Sequence, residues 1–114
     1  MTLDQLLEQL KDSPVTVEFN DVMAVIETYY DYTATAFQNG DVLNPSGSNE
    51  GSCKIFAFAT LQGLSEQATL ACFGRYYRDD VMLHPEGDDH GNIRSFISNG
   101  WQGVSFKGQA LSQS

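Results

Sequence analysis

The start of the chain places leucines with the spacing of an α-helix. Four leucines at i, i+3, i+4 and i+7 form one stripe: Leu3, Leu6, Leu7 and Leu10. Thr2 can cap this helix because its hydroxyl can accept a hydrogen bond from a first-turn amide. Pro14 disfavours helical geometry in Ser13, so we predict that the helix ends there. The letters VTVEF that follow indicate a short extended segment.

A second apolar stripe predicts a helix that begins at Asn20 or Asp21, since either side chain can accept first-turn hydrogen bonds. Its inner face consists of Val22, Val25, Ile26 and Tyr29. After Asp31 the chain becomes rich in Thr, Tyr, Phe and Val, which favour pleated strands. The helical pattern therefore gives way to a β pattern at this point.

Residues 32–38 and 41–44 are predicted to form a β-hairpin. Asn39 and Gly40 lie between them and are typical of a two-residue loop, because both tolerate the positive φ of a type I′ turn. Residues 103–107 alternate apolar and polar side chains and are a candidate third strand. The sequence thus predicts a small antiparallel sheet.

The polar letters NPSGSNEGS lead directly into the most apolar segment of the chain. Residues 50–62 have the length of a helix, and their apolar part is interrupted only by Lys54 and Thr60. A helix that is apolar on nearly every side must be enclosed by other elements. Ser48 or Asn49 can cap it. We therefore predict that it is the central helix of the fold.

Two further helices are predicted after Gly63, which ends the central one. The first has Ser65 as its cap. Its inner face consists of Ala68, Leu70, Phe73 and Tyr77. The last helix has Asp88 or Asp89 as its cap. Its inner face consists of Ile93, Phe96 and Ile97, and the final letters SQS are expected to be loose.

Together these elements predict an α+β fold that is mostly α. About five helices surround the central apolar helix near residues 50–62, beside a small antiparallel sheet formed by residues 32–38 and 41–44, with 103–107 as a candidate third strand. A chain of 114 residues forms one compact unit more often than two. Residues 1–114 are therefore predicted to be a single domain.

The net charge of the chain opposes binding to some classes of partner. It is −9, from fifteen acidic and six basic residues. This excess opposes contact with nucleic acid, where affinity depends on Lys and Arg, and with anionic membrane surfaces. The longest apolar run, Ile55–Ala59, is far shorter than the roughly twenty residues of a membrane span. We therefore expect no nucleic acid and no membrane as partner, while a basic protein surface suits the charge.

Cys53 is a candidate nucleophile because it follows a predicted helix start, where amide dipoles lower a thiol pKa. His90 would act as its base, and Asp89 would orient the imidazole. Glu50, one turn away, raises the thiol pKa, which favours a buried structural thiol instead. Cys53 and Cys72 both lie in apolar helical patterns, which are typical of reduced cysteines. A disulfide between them stays an alternative if their helices are neighbours.

The letters HPEGDDH gather several potential metal ligands in one short stretch. The candidates are His84, Asp88 and His90. Their spacing matches neither helical zinc ligands nor a calcium-binding loop, and acidic residues before a helix are ordinarily caps. We therefore predict neither a metal nor a cofactor.

Four long motifs carry a resemblance to a known family. The chain resembles the HopJ type III effector protein family from about Tyr29 to Leu111, in NPSGSNEGSCKIFAFATLQGLS, TLACFGRYYRDDV, DDHGNIRSFISNGW and GVSFKGQAL. The resemblance implies a small α+β domain and brings no established biochemical activity. The positions that correspond to its polar signature are Asn44, Asn49, Glu50, Cys53, Lys54, Tyr76, Tyr77, His90, Asn92, Arg94 and Trp101.

The first functional hypothesis is a non-enzymatic protein-binding module. It would present the 44–50 loop and the 84–92 turn as a polar recognition surface, and its acidic exterior would suit a basic partner. The binding residues would be Asn44, Asn49, Glu50, Tyr76, His90, Asn92 and Arg94.

The alternative is a small hydrolase or transferase centred on Cys53 or His90. Asp89 would orient the imidazole, and Arg94 would hold an anion. Catalysis requires the Cys53 sulfur or His90 within hydrogen-bond reach of a partner in an open pocket. A binding module predicts instead that Cys53 is enclosed and that His90 lies at the surface.

The family name suggests delivery into a eukaryotic host cell by a type III secretion system. Such delivery usually uses a flexible, Ser-rich N-terminal segment, whereas residues 3–12 indicate an ordered helix. We therefore expect a protein of the bacterial cytoplasm, with type III secretion as the alternative. The sequence leaves the oligomeric state open.

Overall fold

A computed structural model describes residues 1–113 of the chain. Within this range the α-helices are α1 (Leu3–Asp12), α2 (Phe19–Tyr29), α3 (Glu50–Gln62), α4 (Glu66–Ala71) and α5 (Gly91–Asn99). The strands are β1 (Tyr30–Tyr32), β2 (Phe37–Asn39), β3 (Val42–Asn44), β4 (Val104–Phe106) and β5 (Leu111–Gln113). A π-helical turn spans Tyr76–Val81, and 3-10 turns span Pro14–Thr16 and Gly100–Gly103. The predicted α+β class, mostly α, is confirmed.

Helix α3 is the central element and has the predicted bounds. Its buried residues are Cys53, Ile55, Phe56, Ala57, Phe58 and Ala59. The ring centroid of Phe56 lies 6.1 Å from that of Phe37, 5.6 Å from that of Phe73 and 5.0 Å from that of Phe96. Since these rings belong to the sheet, to the turn after α4 and to α5, elements from several parts of the chain enclose α3.

Helix α1 follows the prediction, but the segment after it does not. Thr2 caps α1 as expected. Pro14–Thr16 forms a 3-10 turn rather than an extended piece, because the fixed φ of proline suits the first turn of a helix. Helix α2 begins at Phe19, before the predicted Asn20 or Asp21, and no side chain caps this start. The start of α2 therefore could not be predicted from a capping residue in the sequence.

The predicted hairpin is confirmed, but its loop is shifted by one residue. Strands β2 and β3 pair with Asn39 opposite Val42, so the loop consists of Gly40 and Asp41. Gly40 has φ 61 at the first loop position, which fits a type II′ turn. Asn39, predicted in the loop, is a buried strand residue instead. The predicted third strand is β4, which pairs antiparallel with β2 in the order β3-β2-β4.

The strand predicted over 32–38 divides between two sheets. Tyr32 belongs to β1 and pairs with Leu111 of β5 in a separate two-stranded sheet. The expectation of a loose terminus is wrong for Ser112 and Gln113, because both pair with β1. The final residue lies outside the described range.

The helix predicted after Ser65 is interrupted. Ser65 caps it as expected by accepting a hydrogen bond from the Ala68 amide, but α4 ends at Ala71. Gly74 then adopts φ 60, and a Cβ at this position would lie 2.7 Å from the backbone nitrogen of Phe19. Gly74 therefore lets the chain bend closely against the start of α2, and the π-helical turn follows.

Helix α5 begins later than predicted. His90 occupies its N-cap position, so the predicted cap by Asp88 or Asp89 is wrong. The buried residues of α5 are Asn92, Ile93 and Phe96. Ile97, predicted to face inward, is 46% exposed. The helix is oriented so that Asn92 is buried, where other amides satisfy its hydrogen bonds.

Candidate functional site

Asparagine side chains join the polar loop before α3 to the start of α5. Asn44 Nδ2 donates to Asn92 Oδ1 at 3.0 Å, and Asn92 Nδ2 donates back to Asn44 Oδ1 at 2.9 Å. Asn49 Nδ2 donates to the same oxygen of Asn44 at 2.7 Å. Asn44 and Asn92 are at most 6% exposed, and hydrogen bonds shielded from water are strong ones. They hold the 44–50 loop and α5 in one arrangement.

Asn39 extends this asparagine network, which consists of Asn39, Asn44, Asn49 and Asn92. Asn39 Nδ2 donates to the backbone oxygen of Asn92 at 2.8 Å, and Ser95 Oγ donates to the backbone oxygen of Asn39 at 2.6 Å. The side chain of Asn39 is fully buried, and its Oδ1 has no hydrogen-bond partner within the described residues. The network therefore connects the hairpin, the loop and α5.

A cavity of about 360 Å³ lies beside this network. We call it the polar cavity; it is lined by Phe19, Asn49, Ser52, Tyr76, His90 and Asn92, among others. The ring of Tyr76 lies edge-on to that of Phe19, with centroids 5.1 Å apart. Tyr76 remains 44% exposed. The cavity thus combines aromatic surface with amide, hydroxyl and imidazole groups.

Two helices begin at the polar cavity. Asn49 and His90 are the N-cap residues of α3 and α5, both have φ 51, and neither side chain caps its helix. The first-turn residues Gly51 and Gly91 line the cavity. First-turn amides have no partner within their own helix, and they carry the positive end of the helix dipole. The wall of the cavity is therefore suited to hydrogen-bond acceptors such as the carbonyl groups of a partner.

The imidazole of His90 is held by an acidic side chain that the sequence did not single out. His90 Nε2 lies 3.0 Å from Asp80 Oδ2 and 3.8 Å from Asp89 Oδ2. The closer contact, predicted for Asp89, therefore belongs to Asp80. The centroid of the His90 ring lies 5.3 Å from that of Tyr76. The His90 side chain is 28% exposed, so it meets both the acidic partner and solvent.

Asp89 is paired with Arg94 rather than with the histidine. Arg94 Nη2 lies 2.7 Å from Asp89 Oδ1, and Arg94 Nε donates to the backbone oxygen of Asp89 at 2.6 Å. The hydrogen bond from Arg94 and its positive charge hold the pKa of Asp89 below its usual value. Both side chains are thus committed to fixing the turn before α5, and the Arg94 guanidinium is already neutralised.

Cys53 is enclosed and does not line the polar cavity. Its sulfur lies 3.9 Å from the backbone oxygen of Thr35, whereas the preceding residue, Ser52, lines the cavity. Burial raises the pKa of the Cys53 thiol. Burial also raises the pKa of Cys72 to about 12. Both cysteines are free thiols, so the alternative of a disulfide between them is wrong for this structure.

The other predicted residues have simpler surroundings. Glu50 is exposed in the first turn of α3. Lys54 lies 3.9 Å from Glu27, and its ammonium lies 4.8 Å from the centre of the Tyr32 ring. His84, Asp88 and Glu86 of the HPEGDDH stretch are exposed. Among residues 1–113, no group of three His, Cys, Asp or Glu side chains is arranged to hold a metal ion.

Trp101, taken from the family signature, packs against the core. Its ring lies edge-on to that of Phe96, with centroids 5.0 Å apart, and its Nε1 donates to the backbone oxygen of Leu64 at 3.3 Å. Tyr77 is partly buried against the core and does not line the polar cavity. These two residues therefore lie outside the site.

Sequence reasoning missed three residues of the site. Asn39 was predicted in the hairpin loop because it precedes a glycine, so its burial was not expected. Asp80 lies beyond Tyr77, the last residue of the predicted inner face, and the π-helical turn brings it to His90. Phe19 was assigned to an extended segment. The acidic character of Asp80 was a usable signal. No local pattern indicated, however, that it contacts His90, which lies ten positions further along the chain.

These features define a small, mostly α, α+β domain with an amide-held polar surface. A model of the HopJ type III effector protein family matches residues 3–111, and the chain belongs to this family. The resemblance noted from the sequence is thereby confirmed. No curated protein matches the chain. Within residues 1–113, no helix has both the length and the apolar character needed to cross a membrane.

A solved structure closely resembles the chain. It is the crystal structure of the unknown function protein VPA0580, which is 54% identical and superposes with a TM-score of 0.98. The match covers 100% of this chain and 95% of that one. The similarity supports the fold throughout and names no activity.

Proposed function

We propose that the protein is a non-enzymatic protein-binding module whose recognition surface is the polar cavity with the 44–50 loop and the 84–92 turn around it. The observation that carries this proposal is the reciprocal pair of amide bonds between Asn44 and Asn92. It joins segments that are far apart in sequence into one surface before any partner arrives. Such preorganisation lowers the entropy lost on binding.

The groups around the cavity suit a protein partner. Tyr76 offers an exposed aromatic ring supported by Phe19, and tyrosine is enriched among the residues that dominate binding energy. Asn49 and Glu50 are exposed on the loop. Asn44 and Asn92 are buried and act mainly by positioning these groups. The uncapped amides of α3 and α5 would receive carbonyl groups of the partner.

The partner is expected to be basic where it meets the rim of the cavity. Glu50, Asp80 and Asp89 all carry exposed or partly exposed carboxylates there. Among the Lys and Arg side chains of residues 1–113, Arg94 alone is paired with one of them. The net charge of −9 adds a long-range attraction for a basic surface. Binding should therefore weaken as salt is added.

The experiment is an affinity capture from bacterial lysate, with the captured proteins identified by mass spectrometry. Tyr76→Ala removes the exposed ring at the cavity. Leu83→Ala is the matched control, because Leu83 is 69% exposed and does not line the cavity. A specific partner should be recovered with the wild type and with Leu83→Ala, and should be lost with Tyr76→Ala. Recovery of the same proteins by all three would contradict the proposed surface.

A second candidate function is favoured by the pair of His90 and Asp80. A histidine held by a carboxylate beside Ser52 in an open cavity has the elements of a general base. In a small hydrolase or transferase of this kind, Asp80→Asn would abolish turnover without unfolding the chain. A panel of ester substrates provides the assay. Equal rates of ester hydrolysis by the wild type and by Asp80→Asn would reject His90 as the base.

A catalytic role for Cys53 has a separate test. Its raised pKa leaves little thiolate at neutral pH, so we expect iodoacetamide to label it slowly until the chain is unfolded. Cys72 is the internal control, since its pKa is raised as well. Rapid labelling of Cys53 in the folded protein, with Cys72 unlabelled, would restore the thiol as a candidate nucleophile.

We also propose that the protein acts in the bacterial cytoplasm. Helix α1 has a complete capping box at Thr2, so residues 3–12 form an ordered helix. The family name supports the alternative, which is secretion into a host cell. A translocation reporter fused to the chain separates the two, with a secretion-deficient strain as control. Reporter signal in host cells that depends on the secretion system would overturn the cytoplasmic location.

A further inference from the structure

A second cavity, of about 520 Å³, lies between α1 and α4. We call it the α1–α4 groove; it is lined by Leu7, Leu10, Lys11, Leu64, Ala68 and Tyr77, among others. It shares no lining residue with the polar cavity. The surface proposed above for protein binding therefore makes no use of it.

The groove presents apolar surface to water. Leu7 and Leu64 are only partly buried, and Val15 at its edge is 72% exposed. Ala68 and Ala71 form part of the wall on α4, and their small side chains leave the space open. Concave surface lined mostly by apolar side chains is typical of small-ligand sites.

The charge of the groove is opposite to that of the protein. None of the fifteen acidic residues lines it, whereas Lys11 and Arg78 do. Arg78 already donates to the backbone oxygen of Val17 at 2.7 Å and lies 3.8 Å from Glu18. Lys11 forms no ion pair within residues 1–113. One ammonium without an ion-pair partner among the described residues thus lies beside an apolar groove.

The size of the groove suits a small molecule. A volume of about 520 Å³ falls among small-ligand sites, which span about 300–1,000 Å³.

We propose that the α1–α4 groove binds a medium-chain aliphatic carboxylate. The carboxylate pairs with the Lys11 ammonium, and the hydrocarbon chain lies along Leu7, Leu64 and Ala68. The groove supplies the two features such a ligand requires, which are an apolar channel and a cation without a partner.

Octanoate tests this proposal, with octan-1-ol as a neutral ligand of the same chain length. Binding is followed by backbone amide shifts of the full chain. Three variants separate the contributions. Lys11→Met removes the charge and keeps an apolar stem, and Ala68→Leu fills the groove. Lys107→Met is the matched control, because Lys107 is exposed, forms no ion pair among residues 1–113 and does not line the groove.

The proposal predicts saturable octanoate shifts in α1 and α4 of the wild type. Lys11→Met should weaken octanoate binding by about twofold to fivefold, within the range for one exposed ion pair, and leave octan-1-ol binding unchanged. Ala68→Leu should weaken both ligands, and Lys107→Met neither. Absence of saturable shifts in the groove, or equal octanoate affinity of Lys11→Met and wild type, would overturn it. Because Lys11 is exposed, we expect Lys11→Met to fold. A change in its octanoate affinity can therefore be assigned to the missing charge.

Discussion

Two buried regions of this protein hold it together by different means. Around Phe56 the contacts are between aromatic rings from distant elements. At the asparagine network the contacts are directed amide hydrogen bonds. Apolar burial is non-directional and roughly proportional to area, whereas a buried amide must find its partner or lose free energy. We infer that the first region supplies most of the stability, and the second orients the loop and α5 at the polar cavity.

The largest effect is expected from Phe56→Ala. Phe56 is fully buried, and a truncation of this kind leaves a cavity that costs about 3–5 kcal/mol of unfolding free energy. Chemical denaturation of the purified variant measures it. Leu43→Ala is the control, because Leu43 is apolar and 71% exposed. A Phe56→Ala protein that unfolds at the wild-type midpoint would remove this region from the core.

A smaller loss of about 1–3 kcal/mol is expected from Asn44→Ala. The change leaves Asn92 Nδ2 and Asn49 Nδ2 without their acceptor. Besides the unfolding midpoint, hydrogen exchange should quicken in the 44–50 loop more than in α1. Asn20→Ala, on the exposed surface of α2, serves as control. A loss as large as that of Phe56→Ala would show that the amides carry as much stability as the rings.

His90→Asn should change the unfolding free energy by less than about 1 kcal/mol. The pair of His90 and Asp80 is open to solvent, and asparagine tolerates the positive φ of position 90. Thermal unfolding measures the change. A loss of several kilocalories would mean that the imidazole belongs to the supporting structure rather than to the open cavity.

The smallest effect concerns acid titration. Arg94 holds the pKa of Asp89 below its usual value, so Arg94→Gln should raise this pKa, which carboxyl NMR shifts measure. A lowered native pKa contributes stability above the unfolded pKa of Asp89, and the contribution is lost as pH falls through the native value. Arg94→Gln should therefore lose less stability on acidification. Arg75→Gln is the control, because Arg75 pairs with Glu18 and not with Asp89. It should leave the titration of Asp89 unchanged.

Much of the fold followed from local patterns. Helix α3 was predictable because a segment that is apolar on nearly every side must be enclosed. Thr2 and Ser65 were predictable caps because capping involves residues three apart. The hairpin and β4 followed from alternation and turn residues. In the site, His90, Asn49 and Arg94 were recognised as polar residues near predicted turns, but their partners were not.

The sequence by itself determined that α1, α3 and the hairpin of β2 and β3 form and that α3 must be buried, because these properties depend on neighbours within a few residues. Only the tertiary structure decided that Asn39 enters the interior, that β1 pairs with β5 and that Asp80 meets His90. These contacts join residues between 10 and more than 50 positions apart in the chain. They are chosen by strand register and by the cost of leaving a buried polar group unpaired, which no local pattern records.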